Sequence, residues 1–368
     1  MPSKQARQAF RAIALMLLAG AGGVILSGSA ASAQTAPEAA TASPDQLRDT
    51  AQLVVSERLR TFALARGLAQ GNAGIGTARD LRALLQAQGY YMEGTGLQLL
   101  EFEQGVYPNL AYVPNMNGGL ENDTLILQGL VFRLRSDLVA RGGAAFGLSY
   151  DGRVRVGLSQ GHYVEAEAQL GVLHAPEPNL TRTVGQISVC SRNELVNWNF
   201  LDLCYNHVEV RRDLSDQTQD DLEMRYSHLF EIGESRHEVG FAVGRSKYKD
   251  LYQTHGTVSF DSVGRRIATR LSLDLSEPLQ DSTGNDLSVR GEVRWLAAGH
   301  VVGLGLEASQ SAQSTFFGER RQDYGLGVTA LYQIKDNLVL SVGVSQTDST
   351  VDFFDSNSVQ FNISTKLN

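Results

Sequence analysis

The sequence predicts an antiparallel transmembrane β-barrel of about 14 strands (roughly 12–16), preceded by a small N-terminal α-helical hairpin. Three observations carry this prediction. Side-chain polarity alternates with a period of two through most of the chain beyond Tyr107. Short and long connections follow one another between the alternating segments. The N-terminus resembles an export signal, so the mature chain is expected to leave the cytoplasm.

The first 33 residues have the three parts of a cleaved signal peptide. Lys4, Arg7 and Arg11 form a basic region, residues 12–26 are apolar, and residues 31–33 (Ala-Ser-Ala) match a cleavage site. The alternative is a membrane-anchoring helix, but the apolar run is shorter than the ~20 residues that a span needs. We therefore expect residues 1–33 to be removed.

The mature chain is acidic. The full sequence has 32 Lys and Arg residues against 40 Asp and Glu residues, and the signal contributes three of the basic ones. A nucleic-acid-binding protein would have a basic surplus, so we expect no nucleic-acid partner. Since no later stretch is apolar enough for a membrane helix, membrane insertion would require a closed barrel.

A flexible leader and a periplasmic helical segment are predicted next. Residues 34–43 are rich in Ala, Thr, Pro and Ser, and residues 44–106 form the helical segment. Its first helix would begin after Ser43 as N-cap, with apolar residues every three or four positions as far as Arg66. A shorter helix is expected from Ala78 to about Ala87. The apolar stripe of this hairpin would dock against the rest of the protein or a partner.

Residues 107–368 are predicted to form the barrel. The clearest alternation lies in residues 324–334, 338–344 and 358–367, where apolar residues alternate with small or polar ones. The same pattern occurs in residues 222–232, 239–243, 267–273 and 289–295. One face of each predicted strand is apolar and the other is small or polar, as a barrel in lipid requires.

The connections alternate in length. Short turns are predicted near residues 233–235, 261–264, 297–300 and 335–337, and longer polar loops near 247–254, 276–286, 310–322 and 347–357. Outer-membrane barrels have short periplasmic turns and longer external loops, so this parity places the C-terminus at the periplasmic side. At about 18 residues per strand and connection, the segment holds roughly 14 strands, and an even number is expected.

A soluble β-sandwich would also alternate. Charges in the middle of strands argue against its dry core and are expected to line the barrel lumen, at Arg270, Arg290, Glu292, Arg294 and Glu307. Aromatic residues near strand ends fit a membrane-interface girdle, at Tyr226, Trp295, Tyr324, Tyr332 and Phe361. The charged row would either set a transverse field for solutes or stiffen the interior through salt bridges.

Motifs for chemistry are scarce. Cys190 and Cys204 are expected to form a disulfide in an oxidising compartment. Residues 157–161 match G-x-S-x-G, but the following segment alternates as a strand, whereas a nucleophile elbow requires a helix there. The seven histidines show no metal-ligand spacing, and acidic residues 213, 216, 220 and 221 are expected to be solvated. We expect no catalytic residues, metal or cofactor.

The stretch from Pro108 to Gly119 (PNLAYVPNMNGG) resembles the first-strand signature of outer-membrane barrels fused to tetratricopeptide repeats. The surface-lipoprotein assembly modifiers, which help move lipoproteins to the cell surface, are one such family. The resemblance covers about a dozen residues and the general plan. Two features depart from the family: one helical hairpin stands in place of several repeats, and the chain ends in Lys366-Leu367-Asn368 without a terminal aromatic residue.

Three functions remain open on the sequence. The first is an outer-membrane conduit for export or surface assembly of a secreted protein or lipoprotein, which the resemblance implies. The second is a passive diffusion porin. The third is a structural or adhesive surface protein that uses Phe316-Phe317 and Phe353-Phe354 in external loops. All three imply outer-membrane lipid and the barrel-assembly machinery as partners.

Overall fold

Fourteen strands of the chain close into one antiparallel barrel. The structure is a computed structural model that describes residues 49–71, 74–94, 96–127, 129–177, 179–279, 284–335 and 338–365. The predicted signal peptide and leader, and the predicted helix start at Ser43, lie outside these residues. The prediction of a closed 14-stranded antiparallel barrel with an N-terminal helical part is confirmed.

The chain order begins with two helices, α1 (Glu57–Ala69) and α2 (Ile75–Ala87). Eighteen strands follow: β1 (Gln98–Val113), β2 (Thr124–Leu127), β3 (Leu130–Arg133), β4 (Gly143–Ser159), β5 (His162–Ala175), β6 (Leu180–Glu194), β7 (Asn199–Arg211), β8 (Gln217–Ile232), β9 (Ser235–Tyr248), β10 (Leu251–Val263), β11 (Ile267–Ser276), β12 (Asn285–Ala297), β13 (His300–Ser311), β14 (Ser314–Phe316), β15 (Glu319–Arg321), β16 (Asp323–Lys335), β17 (Leu338–Ser349) and β18 (Ser356–Thr365). A 3₁₀ turn, Asp352–Phe354, precedes β18. The barrel excludes only the two small hairpins β2–β3 and β14–β15, which extend from its loops.

Barrel closure depends on the seam between β1 and β18. There, Leu110, Ala111 and Tyr112 pair with Ile363, Asn362 and Phe361. Every other neighbouring pair of barrel strands is registered over nine residue pairs or more. Among the described residues, the seam is therefore the shortest hydrogen-bonded ladder of the barrel.

The two ends of the barrel differ in their connections. At one end, which we call the turn end, the strands are joined at residues 160–161, 195–198, 233–234, 264–266 and 298–299. The other end, the loop end, carries residues 114–127, 129–142, 277–279, 312–322 and 350–355. The long loop predicted at residues 247–254 is wrong: β9 and β10 are joined there by a turn of two residues, 249–250, in which Lys249 adopts a φ of 50°. The other polar residues of this segment extend β9 and β10 instead.

Large apolar side chains cover the outer face of the barrel. Alternate residues of the strands are exposed there, among them Phe146, Leu170, Leu203, Met224, Phe241 and Val344. Soluble proteins rarely expose apolar patches of this extent. An outward apolar surface around a closed barrel is the surface that lipid covers in membrane barrels.

The helical part differs from the sequence prediction in its first helix. Residues 52–56 interrupt the predicted continuous helix, and α1 begins after Ser56, whose hydroxyl accepts a hydrogen bond from the Leu59 backbone N–H. Because of the interruption, Leu53 and Val54 pack against the inner face of the barrel wall and are buried there. Strand β1 begins at Gln98, inside the segment assigned to helices from the sequence. Within the described part of the chain, no helix is both long and apolar enough to cross a bilayer.

Residues 53–70, which we call the plug, lie in the lumen at the turn end. Five apolar plug residues are buried against side chains from the inner wall; the cluster joins Leu53, Val54, Leu59, Phe62 and Ala63 to Phe200, Leu229, Val263, Ala268 and Val301. The Phe62 ring stands edge-on to Trp198 at 5.0 Å between centroids. The first helix of the hairpin thus docks inside the barrel.

Candidate functional site

A large cavity lies inside the barrel and measures about 690 Å³. All five charged residues that the sequence selected line it: Arg270, Arg290, Glu292, Arg294 and Glu307. They come together because residues two apart on a strand share a face, and β11, β12 and β13 are neighbours in the sheet. Their role in solute passage stays a prediction.

The ion pairs in this cavity differ in how closely their charged groups approach each other and in how exposed they remain. Arg270 donates from Nε to Asp261 Oδ1 at 2.7 Å, and Arg294 is paired with Glu292. The Arg290 Nε and Glu307 Oε1 atoms are 3.3 Å apart, and these side chains remain 58% and 44% exposed. Arg290 and Glu307 are therefore the pair most open to a solute in the lumen.

A second cavity of about 250 Å³ separates the plug from the wall. It shares Arg225, Ser259 and Arg270 with the large cavity, so the two adjoin. Its lining contains six acidic and six basic residues: Glu57, Glu165, Glu167, Asp202, Glu238 and Asp261, with Arg58, Arg153, Arg155, Arg192, Arg225 and Arg270. The interior is thus strongly charged without an excess of either sign.

Two consecutive plug residues of opposite charge contact this wall. Glu57 accepts hydrogen bonds from Arg153 Nη1 at 3.2 Å and from Arg155 Nη2 at 2.6 Å. Arg58 donates through both terminal nitrogens to Asp202, at 2.8 and 2.6 Å. Such bidentate charge-assisted bonds fix orientation as well as adding stability.

Wall residues extend these contacts into a network. Asp202, which is 1% exposed, also accepts from Arg192 at 3.0 Å, and Arg192 reaches Glu165 at 2.8 Å. Arg155 joins Glu165 at 2.6 Å and Glu101 at 2.9 Å. Ser56 donates from its hydroxyl to Glu238 on β9. The start of α1 is therefore held by side chains of β4, β7 and β9.

This network on β4–β7 was not predicted, although its signal is in the sequence. Arg153 and Arg155 are two residues apart on one strand, and Glu165 and Glu167 are two apart on the next. Arg153 stands opposite Glu167 and Arg155 opposite Glu165 in the register. This is the same spacing that identified the row from Arg290 to Arg294.

The two cysteines form a disulfide. Cys190 on β6 stands directly opposite Cys204 on β7. Both are buried, on the same lumen-facing rows as Arg192 and Asp202. The bond therefore crosses the strand pair that carries part of the charged network.

The predicted girdle residues occupy outward rows of their strands with different exposures. Tyr226 and Tyr332 are exposed, whereas Trp295 and Phe361 are half-buried. Tyr324 differs from the expectation because it is only 8% exposed and packs against Ala308. Sequence reasoning also missed a row of rings near the turn end, formed by His228, Phe230, His237 and Phe260.

Motifs for other chemistry find no support in the described residues. The G-x-S-x-G match runs from the end of β4 through a turn into β5, so the strand–turn–helix context of a nucleophile elbow is not formed. Within the described chain, no three His, Cys, Asp or Glu side chains are placed to hold a metal ion. Asp220 instead accepts hydrogen bonds from Tyr205 at 2.6 Å and His207 at 2.8 Å.

Comparison with solved structures finds porins at low similarity. The KdgM porin is 10% identical with a TM-score of 0.30, covering 51% of this chain and 97% of that chain. Pseudomonas aeruginosa OccK10 (OpdN) is 8% identical with a TM-score of 0.40, covering 75% and 99%. A BenF-like porin from Pseudomonas fluorescens Pf-5 is 7% identical with a TM-score of 0.39, covering 74% and 99%.

No protein-family model and no curated protein matches the chain. The fold assignment therefore rests on the strand order and register described above. The resemblance to the surface-lipoprotein assembly modifiers gains no support from these comparisons.

Proposed function

We propose that the protein is an outer-membrane channel for small polar or charged solutes, with its N-terminal helices acting as a plug in the periplasmic end of the lumen. The observation that carries the proposal is the charged cavity of about 690 Å³ inside a closed barrel. Mixed charges on the wall of a narrow lumen set a local field that selects among solutes by charge.

The membrane location is supported by the outer surface. Exposed apolar residues ring the strands, and aromatic rings cluster near the turn end, where an interfacial belt would lie. Outer-membrane lipid is then the principal partner, and the barrel-assembly machinery would insert the chain. The turn end, with the plug and the end of β18, would face the periplasm.

The dimensions of the lumen favour small solutes over an exported protein or lipoprotein. Cavities of about 300–1,000 Å³ suit ligands of small-molecule size. The lumen of this barrel falls in that range, and the plug occupies one end of it. The geometry therefore supports the porin alternative better than the export conduit that the sequence suggested first.

Little of the aromatic surface that the adhesive alternative requires is exposed. Phe316, Phe353 and Phe354 pack against one another at the loop end, and Arg321 covers the ring of Phe354. Phe317 is the one member of the two pairs that is largely exposed. These rings stabilise the loops around the mouth of the lumen.

Passage through the barrel would require movement of the plug. A solute that enters from the loop end meets the large cavity first and then the cavity that ends at residues 55–58. The plug is held there by ion pairs and by an apolar contact with the wall. We therefore infer that conductance is gated and rises when these contacts are weakened.

The test is the ion selectivity of the full-length protein in planar bilayers. Reversal of one lumen charge by Arg290→Glu should move the reversal potential in a salt gradient towards cation preference. Arg79→Glu is the matched control because Arg79 lies exposed on α2, outside the cavity linings. It should leave the reversal potential at the wild-type value.

Two results would overturn the proposal. One is a correctly folded wild-type protein that passes no ions at any voltage, together with a folded Arg58→Ala variant that passes none either. The other is conductance whose selectivity is identical in the wild-type and Arg290→Glu proteins.

A further inference from the structure

A third cavity lies behind the seam of the barrel. It measures about 300 Å³ and is lined by residues of β1, β5, β6 and β16–β18, most of them on inward rows. Thr329 and Gln360 line both this cavity and the large one, so the two adjoin. A solute in the lumen therefore has access to this space, which we call the seam cavity.

Three residues that line the seam cavity each have one buried polar atom without a hydrogen-bond partner among the described residues. These atoms are Asn109 Oδ1, Asn362 Oδ1 and Arg182 Nε. The amide nitrogen of Asn109 is engaged, because it donates to Ser149 Oγ at 3.2 Å. Buried polar groups in native proteins nearly always have partners, so this part of the wall suits a polar ligand better than an apolar one.

The charge of Arg182 defines one part of that ligand. Other lumen arginines, such as Arg155, Arg192 and Arg270, have carboxylates within salt-bridge distance. No carboxylate among the described residues forms a salt bridge with Arg182, and the neighbouring Arg212 repels its charge, since Thr183 stands opposite Arg211 in the sheet. An anionic group beside Arg182 would relieve this repulsion and accept hydrogen bonds from the guanidinium group.

The two asparagine oxygens define the other part. Each is a carbonyl acceptor, so each requires a donor such as a hydroxyl group. Asn109 lies on the first strand and Asn362 on the last, where Asn362 stands opposite Ala111, two residues from Asn109 along β1. A ligand that donates to both would bridge the seam.

We propose that the seam cavity is a binding subsite for a small hydroxylated organic anion, with its carboxylate at Arg182 and its hydroxyl groups donating to Asn109 and Asn362. This assignment rests on the proposed channel function, since the ligand would reach the subsite through the lumen. The volume of about 300 Å³ limits the ligand to the lower end of small-molecule size.

The test measures binding of gluconate and of sorbitol to the full-length protein in detergent by calorimetry. The two probes have similar size and many hydroxyl groups, but only gluconate carries a carboxylate. We expect gluconate to bind at least tenfold more tightly than sorbitol. Arg182→Gln should abolish this preference, and Arg182→Lys should keep the charge and retain part of it.

Arg211→Gln is the matched control, because Arg211 is exposed and lies outside the cavity linings although it stands close to Arg182 in the sheet. It should bind gluconate as the wild type does. Asn362→Ala should weaken gluconate and sorbitol alike, since it removes a hydroxyl acceptor.

Conductance of the same preparations separates this inference from the channel function. Equal affinity for gluconate and sorbitol in a protein that conducts ions would overturn the subsite alone. Unchanged gluconate binding by a folded Arg182→Gln variant would do the same. Gluconate binding through Arg182 in a protein that never conducts would support the subsite and overturn the channel.

Discussion

Arg58 and Asp202 form the contact that ties the plug most directly to the wall. The pair is bidentate, and Asp202 is almost entirely removed from solvent. A buried ion pair contributes little net stability compared with an apolar contact, yet removal of one partner leaves an uncompensated charge. The pair therefore fixes the position of α1 more than it stabilises the fold.

We predict that Arg58→Ala raises the frequency of channel opening in planar bilayers. Breaking a buried ion pair costs about 3–5 kcal/mol of folding free energy. Arg192 also pairs with Asp202 and would compensate part of this loss. Arg66→Ala is the comparison, because Arg66 is half-exposed in its pair with Glu231 and exposed pairs contribute at most about 1 kcal/mol. Equal opening frequencies in the two variants would contradict the assigned role of Arg58.

Phe62 provides a second residue-scale test. It is buried in the apolar contact between plug and wall, and truncation of such a ring costs about 3–5 kcal/mol. In a Trp295→Phe background, Trp198 is the one remaining tryptophan. We predict that Phe62→Ala shifts the fluorescence maximum of Trp198 to longer wavelength, because the plug packs less tightly against it. Val55→Ala, at an exposed plug residue, should leave the spectrum unchanged.

At the scale of elements, the disulfide joins β6 and β7 within the charged part of the wall. We predict that the free energy of unfolding of the double variant Cys190→Ser, Cys204→Ser is about 3 kcal/mol lower than that of the wild type. The reason is that the disulfide, at a sequence separation of 14, no longer restricts the unfolded chain. Denaturant unfolding of the refolded barrel measures this loss. A reductant should lower the wild type to the same value and leave the double variant unaffected; a reductant effect on the double variant would point to another cause.

The seam is the second element-scale feature with a measurable consequence. Strands β1 and β18 share three registered pairs, whereas β9 is paired over its length on both sides. We predict that peptides from Ser356–Thr365 exchange backbone hydrogen about tenfold faster than peptides from β9, which corresponds to ~1.4 kcal/mol of opening free energy. Protection of β18 equal to that of β9 would show that the seam is as firm as the other ladders.

The strands could be predicted from the sequence because their signal is local. Alternation in residues 324–334 or 222–232 reflects two environments on opposite faces of one strand. Polar residues around Lys249 were assigned to a loop, but strands that continue beyond the apolar band have no need of apolar residues. The helix interruption at residues 52–56 depends on burial of Leu53 and Val54 in the barrel, which only the tertiary fold reveals.

Part of the site was equally accessible to sequence reasoning. The row from Arg290 to Arg294 stood out because charges recur every second residue in an otherwise apolar strand. The pairing of Arg58 with Asp202 could not be predicted, since 144 positions separate them and neither has a distinctive neighbourhood. The orphan atoms of the seam cavity depend on barrel closure, which brings the first and last strands together.

For the whole molecule, three adjoining cavities follow the lumen from the seam to the plug. Shared lining residues connect the first to the second and the second to the third. The walls carry charges of both signs, and an apolar contact joins the plug to the wall at the turn end. This arrangement suits a gated path for small charged solutes.

The most direct test of this account is single-channel recording of Arg290→Cys during addition of a bulky, water-soluble thiol reagent. The native cysteines do not compete because they are bonded to each other. We predict a stepwise and permanent fall in current for Arg290→Cys and none for Val293→Cys, which lies on the outward row of the same strand. Complete modification of Arg290→Cys without any change in current would contradict the lumen as the path of solutes.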